Sequence, residues 1–294
     1  MFIGLGAQKC ASTWLYQVLA THPQVRLPAR KEIDFFSYHY DRGFQWYERH
    51  FEGFESAYCT GEISPSYFHD PAAPARVRSY RRDMKLLLTL RDPVDRALSN
   101  HKHEVRLGHF TGSDLSFEAG LANNPMYVEQ GLYGKHLANW LQHFPREQVY
   151  VALMEDISAE PRRVAREVFC FIGVDEAFES NAVARRFNAS FATRSKSLTR
   201  LKDGIYRWSR TPAMGWLWST AAGIGARGVY RRLNVIESEA VIPPPRPQTL
   251  RELRERFAPD IRELERLLGR DLSVWLCREG TERRRGPVSG GFGT

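Results

Sequence analysis

Phe2 to Leu19 reads FIGLGAQKCASTWLYQVL, and the fold follows from how this stretch changes character along its length. Phe2 to Leu5 is apolar or small throughout, as in a short buried strand. From Ser12 onward, Trp14, Leu15, Val18 and Leu19 recur with helical spacing. Between strand and helix, Gly4 and Gly6 allow a tight turn, and Lys9, Ser12 and Thr13 stand where the helix begins. Unpaired amides at a helix start, together with a lysine charge, attract a cluster of anionic oxygens. The stretch is therefore a candidate phosphate-binding loop, with Gln8, Lys9, Cys10, Ala11, Ser12, Thr13 and Trp14 as its candidate contacts.

The order of residues narrows the choice of anion. A nucleoside-triphosphatase loop runs G-x-x-x-x-G-K-S/T, with the lysine beside the hydroxyl residue that holds magnesium. Here Lys9 comes first, no glycine directly precedes it, and two residues separate it from Ser12. A second segment, KLLLTLRDPVDRALSNHKHE at Lys85 to Glu104, supplies an independent constraint. Leu86, Leu87, Leu88 and Leu90 form an apolar run expected of a strand buried on both faces of a parallel sheet. Asp92 then reads as a helix N-cap, Pro93 as the first helical residue and Asp95 as a first-turn acid. Arg91 thus closes a strand just before a helix, which is where open α/β sheets bind ligands. An ATPase places an aspartate near this position for magnesium, whereas an arginine fork suits a second phosphate.

Lys9 to Trp14 resembles the 5′-phosphosulfate loop, K-x-G-S/T-S/T-W/S/Y, of sulfotransferases that use 3′-phosphoadenosine 5′-phosphosulfate (PAPS). Ala11 stands where that family has glycine, an exchange that a helical backbone accommodates. Arg91, Asp92, Pro93, Arg96 and Ser99 resemble the 3′-phosphate motif R-D-P-x-x-R-x-x-S of the same family, and the two motifs lie in the family's order roughly eighty residues apart. The resemblance implies an α/β fold with a P-loop-like central, mainly parallel sheet and helices on both faces. It implies that Arg91 and Ser99 hold the 3′-phosphate, that Lys9 neutralises the leaving phosphate and that Trp14 stacks on adenine. Lys31-Glu32-Ile33-Asp34-Phe35-Phe36 resembles the K-E-x-H-F/Y-F segment of heparan-modifying and related bacterial members, whose glutamate is the catalytic base. Glu32 matches that base, and Asp34 replaces the histidine. Gly61-Glu62-Ile63-Ser64-Pro65-Ser66-Tyr67 resembles G-E-x-S/T-P-x-Y, with Ile63 where the heparan-modifying enzymes have lysine. A basic loop that closes on the nucleotide in related enzymes makes Arg194 and Lys196 candidate contacts. The resemblance covers residues 2 to about 276, which makes 1–277 one domain and leaves 278–294 as a basic, glycine-rich tail expected to be disordered.

The implied reaction moves a sulfuryl group from PAPS to an acceptor hydroxyl of a small metabolite, natural product or glycan. A net charge of +8 suits an anionic nucleotide, and no zinc spacing or RNA-binding signature points to nucleic acid. Four scattered cysteines build neither a disulfide framework nor a metal knuckle, and no histidine pair has metal-ligand spacing. His50, His101 and His103 are second choices as base behind Glu32. The opening residues lack a basic region followed by a long apolar run, so the expectation is a cytoplasmic protein. The uncharged stretch 211–226 is shorter than a membrane span and reads as a buried helix, or as a wall for a lipophilic acceptor or a membrane surface. Two other classes compete: a P-loop small-molecule kinase, which needs magnesium, and a catalytically silent protein that binds a nucleotide or polyanion.

Overall fold

A computed structural model describes residues 1–54, 58–110, 112–184, 191–193, 235–237 and 242–277. Its centre is a five-stranded sheet in the order β2-β3-β1-β4-β5, with β1 Phe2–Gly6, β2 Val25–Arg26, β3 Cys59–Ile63, β4 Lys85–Leu90 and β5 Val149–Leu153. Every pair in it is parallel. Side chains alternate across the strands. Ile3, Leu5, Leu86, Leu88 and Leu90 enter one apolar layer, while Phe2 and Leu87 enter the other, so both faces are covered and the strands read as continuous apolar runs.

The helices α1 Ser12–Ala20 and α10 Pro161–Ile172 cover the Phe2 and Leu87 face. The opposite layer takes in α2 Phe35–Tyr38, α3 Gly43–Glu48, α4 Ala73–Tyr80, α5 Pro93–Leu107, α6 Phe117–Asn123, α7 Met126–Glu129 and α8 Tyr133–Leu141. It also holds α11 Pro247–Leu268 and α12 Ser273–Cys277, whereas α9 Met154–Ala159 follows β5 directly. A separate antiparallel pair joins β6 Phe191–Thr193 to β7 Val235–Glu237. The chain leaves β1 for one side of the sheet and β4 for the other, so β1 and β4 flank the switch point at which such sheets bind ligands.

Local chemistry explains the elements that frame this point. The Asp92 carboxylate accepts from the amides of Val94 at 2.8 Å and Asp95 at 3.2 Å, capping α5 as its sequence predicts. Helix α8 has no cap of its own. Asp260 of α11 supplies one, accepting from the amides of Gly134 and Lys135 at 2.8 Å each. Helix α11 continues through Pro259, because its apolar face packs on α8 and the core. Arg96, from the phosphate motif, turns into the core and is fully buried. Its guanidinium donates to Gln130 Oε1 at 2.9 Å and to the Tyr127 carbonyl, tying α5 to α7.

Candidate functional site

The turn after β1 is held on both sides. Ala7 N donates to Thr89 O at 2.8 Å, and Cys10 N donates to Ala7 O at 3.2 Å. A Cβ on Gly6 would lie 2.9 Å from the Pro65 backbone, and Gly6 has a φ of 112°, so the turn needs glycine there. Lys9 and Ala11 both adopt the left-handed conformation, at φ values of 69° and 67°. The helical backbone expected at Ala11 is therefore corrected: with ψ at 17° it is left-handed and forms the N-cap of α1 without a side-chain cap. Left-handed residues interrupt the chain's normal curl and turn successive amides toward one concavity, the geometry of anion-binding nests.

That concavity is a cleft of about 800 Å3. From the loop and α1 it is lined by Gln8, Lys9, Ala11, Ser12, Thr13 and Trp14, and from β4 and α5 by Arg91 and Ser99. Glu32 closes one edge. Residues far apart in the chain are thereby brought to one place. Cys10, a candidate contact, is the exception. Its side chain is fully buried and faces the core, with Sγ 3.5 Å from the Tyr133 hydroxyl and burial raising the thiol pKa. The turn at Lys9 and Ala11 sends alternate residues to opposite sides of the loop, and Cys10 is the inward one. Trp14 lines the cleft at its edge only, being 6 % exposed with its indole N–H donating to Val183 O at 3.1 Å. Arg194, Lys196, the apolar stretch 211–226 and the tail 278–294 lie outside the described residues.

Lys102 and Arg106 line the cleft outside any motif, and Lys31 enters it from the Lys31-Glu32 segment. Lys31 donates to Glu32 Oε1 at 2.5 Å and reaches Ser12 Oγ at 3.4 Å, so it links the glutamate to the loop. Ser99, Lys102, His103 and Arg106 line the cleft together from one face of α5. Their spacing of i, i+3, i+4 and i+7 is the signal that finds them once Ser99 is placed. Lys9 feels this crowd: its pKa falls to about 8, first through burial and then through Arg106. His103 falls to about 4 through burial, Lys9 and Arg106, so it is neutral at pH 7. His101 and His50 are structural. His101 pairs with the Tyr127 hydroxyl and Leu115 O, and His50 with backbone carbonyls of α3.

Arg91 keeps donors to spare. Its Nε is buried without a partner, and its nearest acceptors are Lys9 O at 3.5 Å and Asp95 at 3.6 Å. Such a guanidinium can donate to an anion's oxygens without giving up a strong bond. Glu32 and Asp34 are both left-handed, at φ values of 65° and 57°, so four strained non-glycine residues gather around this region. Glu62, in the strand beneath, is fully buried with Ser64 Oγ donating to it at 2.7 Å. Burial lifts its pKa to about 7. Ile63, at the family's lysine position, is buried against Gly4 and offers no charge. Among the described residues no group of three or more His, Cys, Asp or Glu is arranged to hold a metal ion, and no helix is long and apolar enough to cross a membrane.

Comparison with known proteins supplies the remaining link. Heparan sulfate glucosamine 3-O-sulfotransferase 3B1 of Homo sapiens is 34% identical over 176 residues, which is 58% of this chain and 45% of that protein. The membrane-associated sulfotransferase kil1 of Dictyostelium discoideum is 36% identical over 108 residues, 36% of this chain and 23% of that one. The chain thus spans less than half the length of these relatives. Among solved structures, a sulfotransferase from Alicyclobacillus acidocaldarius superposes with a TM-score of 0.66 at 27% identity, covering 93% of this chain and 97% of that one. Finally, the model of the sulfotransferase domain matches residues 2–214, a span that holds the strand-end loop, Glu32, Arg91 and Ser99 together. With that match over most of its length, the chain belongs to the sulfotransferase family.

Proposed function

We propose that this chain transfers a sulfuryl group from PAPS to an acceptor hydroxyl, leaving adenosine 3′,5′-bisphosphate. The observation that carries the reading is that Lys9 and Arg91, from the ends of adjacent strands, line one cleft with Glu32 at its edge. Two separate anion sites suit a nucleotide phosphorylated at both its 3′ and 5′ ends. The uncapped start of α1, Ser12 and Thr13 take the 5′ end, and Arg91 with Ser99 takes the 3′-phosphate.

In the reaction a bond forms between the acceptor oxygen and sulfur, and the bond from sulfur to the 5′-phosphate oxygen breaks. The electron pair stays on that leaving oxygen, where Lys9 neutralises the growing charge. Glu32 takes the hydroxyl proton as the new bond forms. Lys31, bonded to Glu32 and near Ser12, orients the carboxylate toward the transfer point. The relatives named for heparan sulfate act on glycans, and a glycan is one acceptor class open to this chain.

The test is transfer of radioactive sulfate from labelled PAPS to a panel of hydroxyl acceptors with a metal chelator present. Glu32→Gln is expected to lower kcat by about a hundredfold to ten-thousandfold, with the bisphosphate binding as in the unaltered chain. Full activity in that variant removes Glu32 from the role of base. In a parallel assay with labelled ATP, magnesium and no chelator, transfer of phosphate in place of sulfate would support the kinase reading.

A further inference from the structure

Beside the main cleft lies a second cavity of about 120 Å3. It shares Gln8, Glu32 and Pro65 with the cleft, and Asp34, Tyr38, Ser66, His69 and Gln130 line the rest of it. The two spaces differ sharply in charge. Lys9, Lys31, Arg91, Lys102 and Arg106 all line the cleft, while no lysine or arginine lines the small cavity among the described residues. His69 adds no charge at pH 7, because burial and the neighbouring His136 lower its pKa to about 4. Asp34 is fixed in place. Its amide donates to Ser64 Oγ at 3.0 Å, and Ser66 donates to its Oδ1 at 2.6 Å, which occupies one of its two carboxylate oxygens.

We propose that this cavity is the acceptor subsite, and that it takes a hydroxyl compound bearing a primary ammonium group, with the ammonium against Asp34 and the hydroxyl at Glu32. The inference rests on the reading of Glu32 as the base. The arrangement separates charge by function: the cationic cleft receives the anionic donor, and the acidic cavity receives an acceptor fragment that is not anionic. Lys31 already pairs with Glu32 at 2.5 Å from the cleft side, but a carboxylate or sulfate placed here would face Asp34 with no lysine or arginine in the lining to offset it. Burial raises the Asp34 pKa, with Glu32 adding to the rise and Arg30 and His39 opposing it from outside the lining. An ammonium would supply the missing counter-charge. Size sets a further limit. A cavity of about 150 Å3 holds benzene, so this one admits a short aminoalkyl fragment and leaves the rest of the acceptor in the cleft.

Three matched two-carbon probes test this: ethanolamine, ethylene glycol and glycolate. Saturation-transfer NMR measures their binding with and without adenosine 3′,5′-bisphosphate, so the subsite is read independently of the donor site. The expected order is ethanolamine first, at least about tenfold tighter than ethylene glycol, with glycolate undetected. Asp34→Asn is expected to abolish the preference for ethanolamine. Asparagine still accepts from Ser66 and tolerates the left-handed backbone, so an unchanged Tm and unchanged bisphosphate affinity accompany the loss. Glycolate binding as well as ethanolamine, no signal from any probe, or an ethanolamine preference that survives Asp34→Asn overturns the proposal. Failure of the bisphosphate to bind, with the probe order intact, counts against the donor reading alone.

Discussion

Replacing Ala11 by glycine tests the geometry of the loop through the sign of a stability change. At φ 67° and ψ 17°, Ala11 holds a conformation in which an L-residue's Cβ crowds the following carbonyl. That crowding costs about 1–2 kcal/mol. Glycine escapes it but adds freedom to the unfolded chain, which returns about 0.4–1 kcal/mol of the gain. The balance is a stabilisation of about 0–1.6 kcal/mol, centred on about 0.8 kcal/mol, which is about 2–3 °C in Tm for a chain of this size. Urea denaturation followed by circular dichroism, with thermal melts beside it, resolves a change of this size as a higher midpoint at unchanged slope. Ala11→Val serves as the reciprocal case, since a β-branched residue is worse still at positive φ, and its midpoint falls below that of the unaltered chain. If Ala11 were an ordinary right-handed helical residue, Ala11→Gly would instead destabilise by about 0.5–1 kcal/mol. A lower midpoint for Ala11→Gly therefore refutes the left-handed loop.

Three other outcomes follow from the same geometry. Lys9→Met is expected to raise Tm in the absence of ligand by roughly 2–4 °C, because the folded protein holds the Lys9 amine at about 8, below its unfolded value of 10.5, and folding at neutral pH opposes its charge. For the unaltered chain the same lowered pKa sets the pH dependence of bisphosphate binding. An anion raises the Lys9 pKa, so its contribution is complete below pH of about 8 and declines as pH rises through the bound-state value. Calorimetry in buffers of different ionisation enthalpy reads this as proton uptake on binding above pH of about 8. Gly134→Ala places a methyl 2.5 Å from Asp260 O at the α8–α11 contact, and overpacking against backbone there costs about 1–3 kcal/mol, measured as a lower urea midpoint.

What the sequence makes legible is what local chemistry determines. Leu86 to Leu90 declares a strand covered on both faces, and Asp92-Pro93 declares the start of α5, because a cap and its amides lie within three residues of each other. Arg91 and Ser99 follow from where that strand and helix join. Arg96 carries the same side chain as Arg91 yet ends in the core, since it sits within α5, on a face turned toward Gln130 instead of the cleft. Lys102, His103 and Arg106 obey a helical period that is visible in the sequence, but only the assembled sheet tells which face of α5 looks onto the loop. The Asp260 cap on α8 joins residues far apart in the chain and leaves no local trace. The left-handed turn at Ala11 is hidden for a different reason: the position lacks the glycine that ordinarily announces it. The short helices α6 and α7 are equally silent, being too brief for a period to register.

Binding of one nucleotide, phosphorylated at both ends, across the two proposed anion sites is open to isothermal titration. Adenosine 3′,5′-bisphosphate is titrated without metal, and ATP with magnesium, into the unaltered chain and into the Lys9→Ala and Arg91→Ala variants. Tight binding of the bisphosphate is expected, weakened by about tenfold to a hundredfold in each variant as a charge-assisted hydrogen bond is lost. Preferential binding of ATP with magnesium, or bisphosphate binding indifferent to both substitutions, would contradict it.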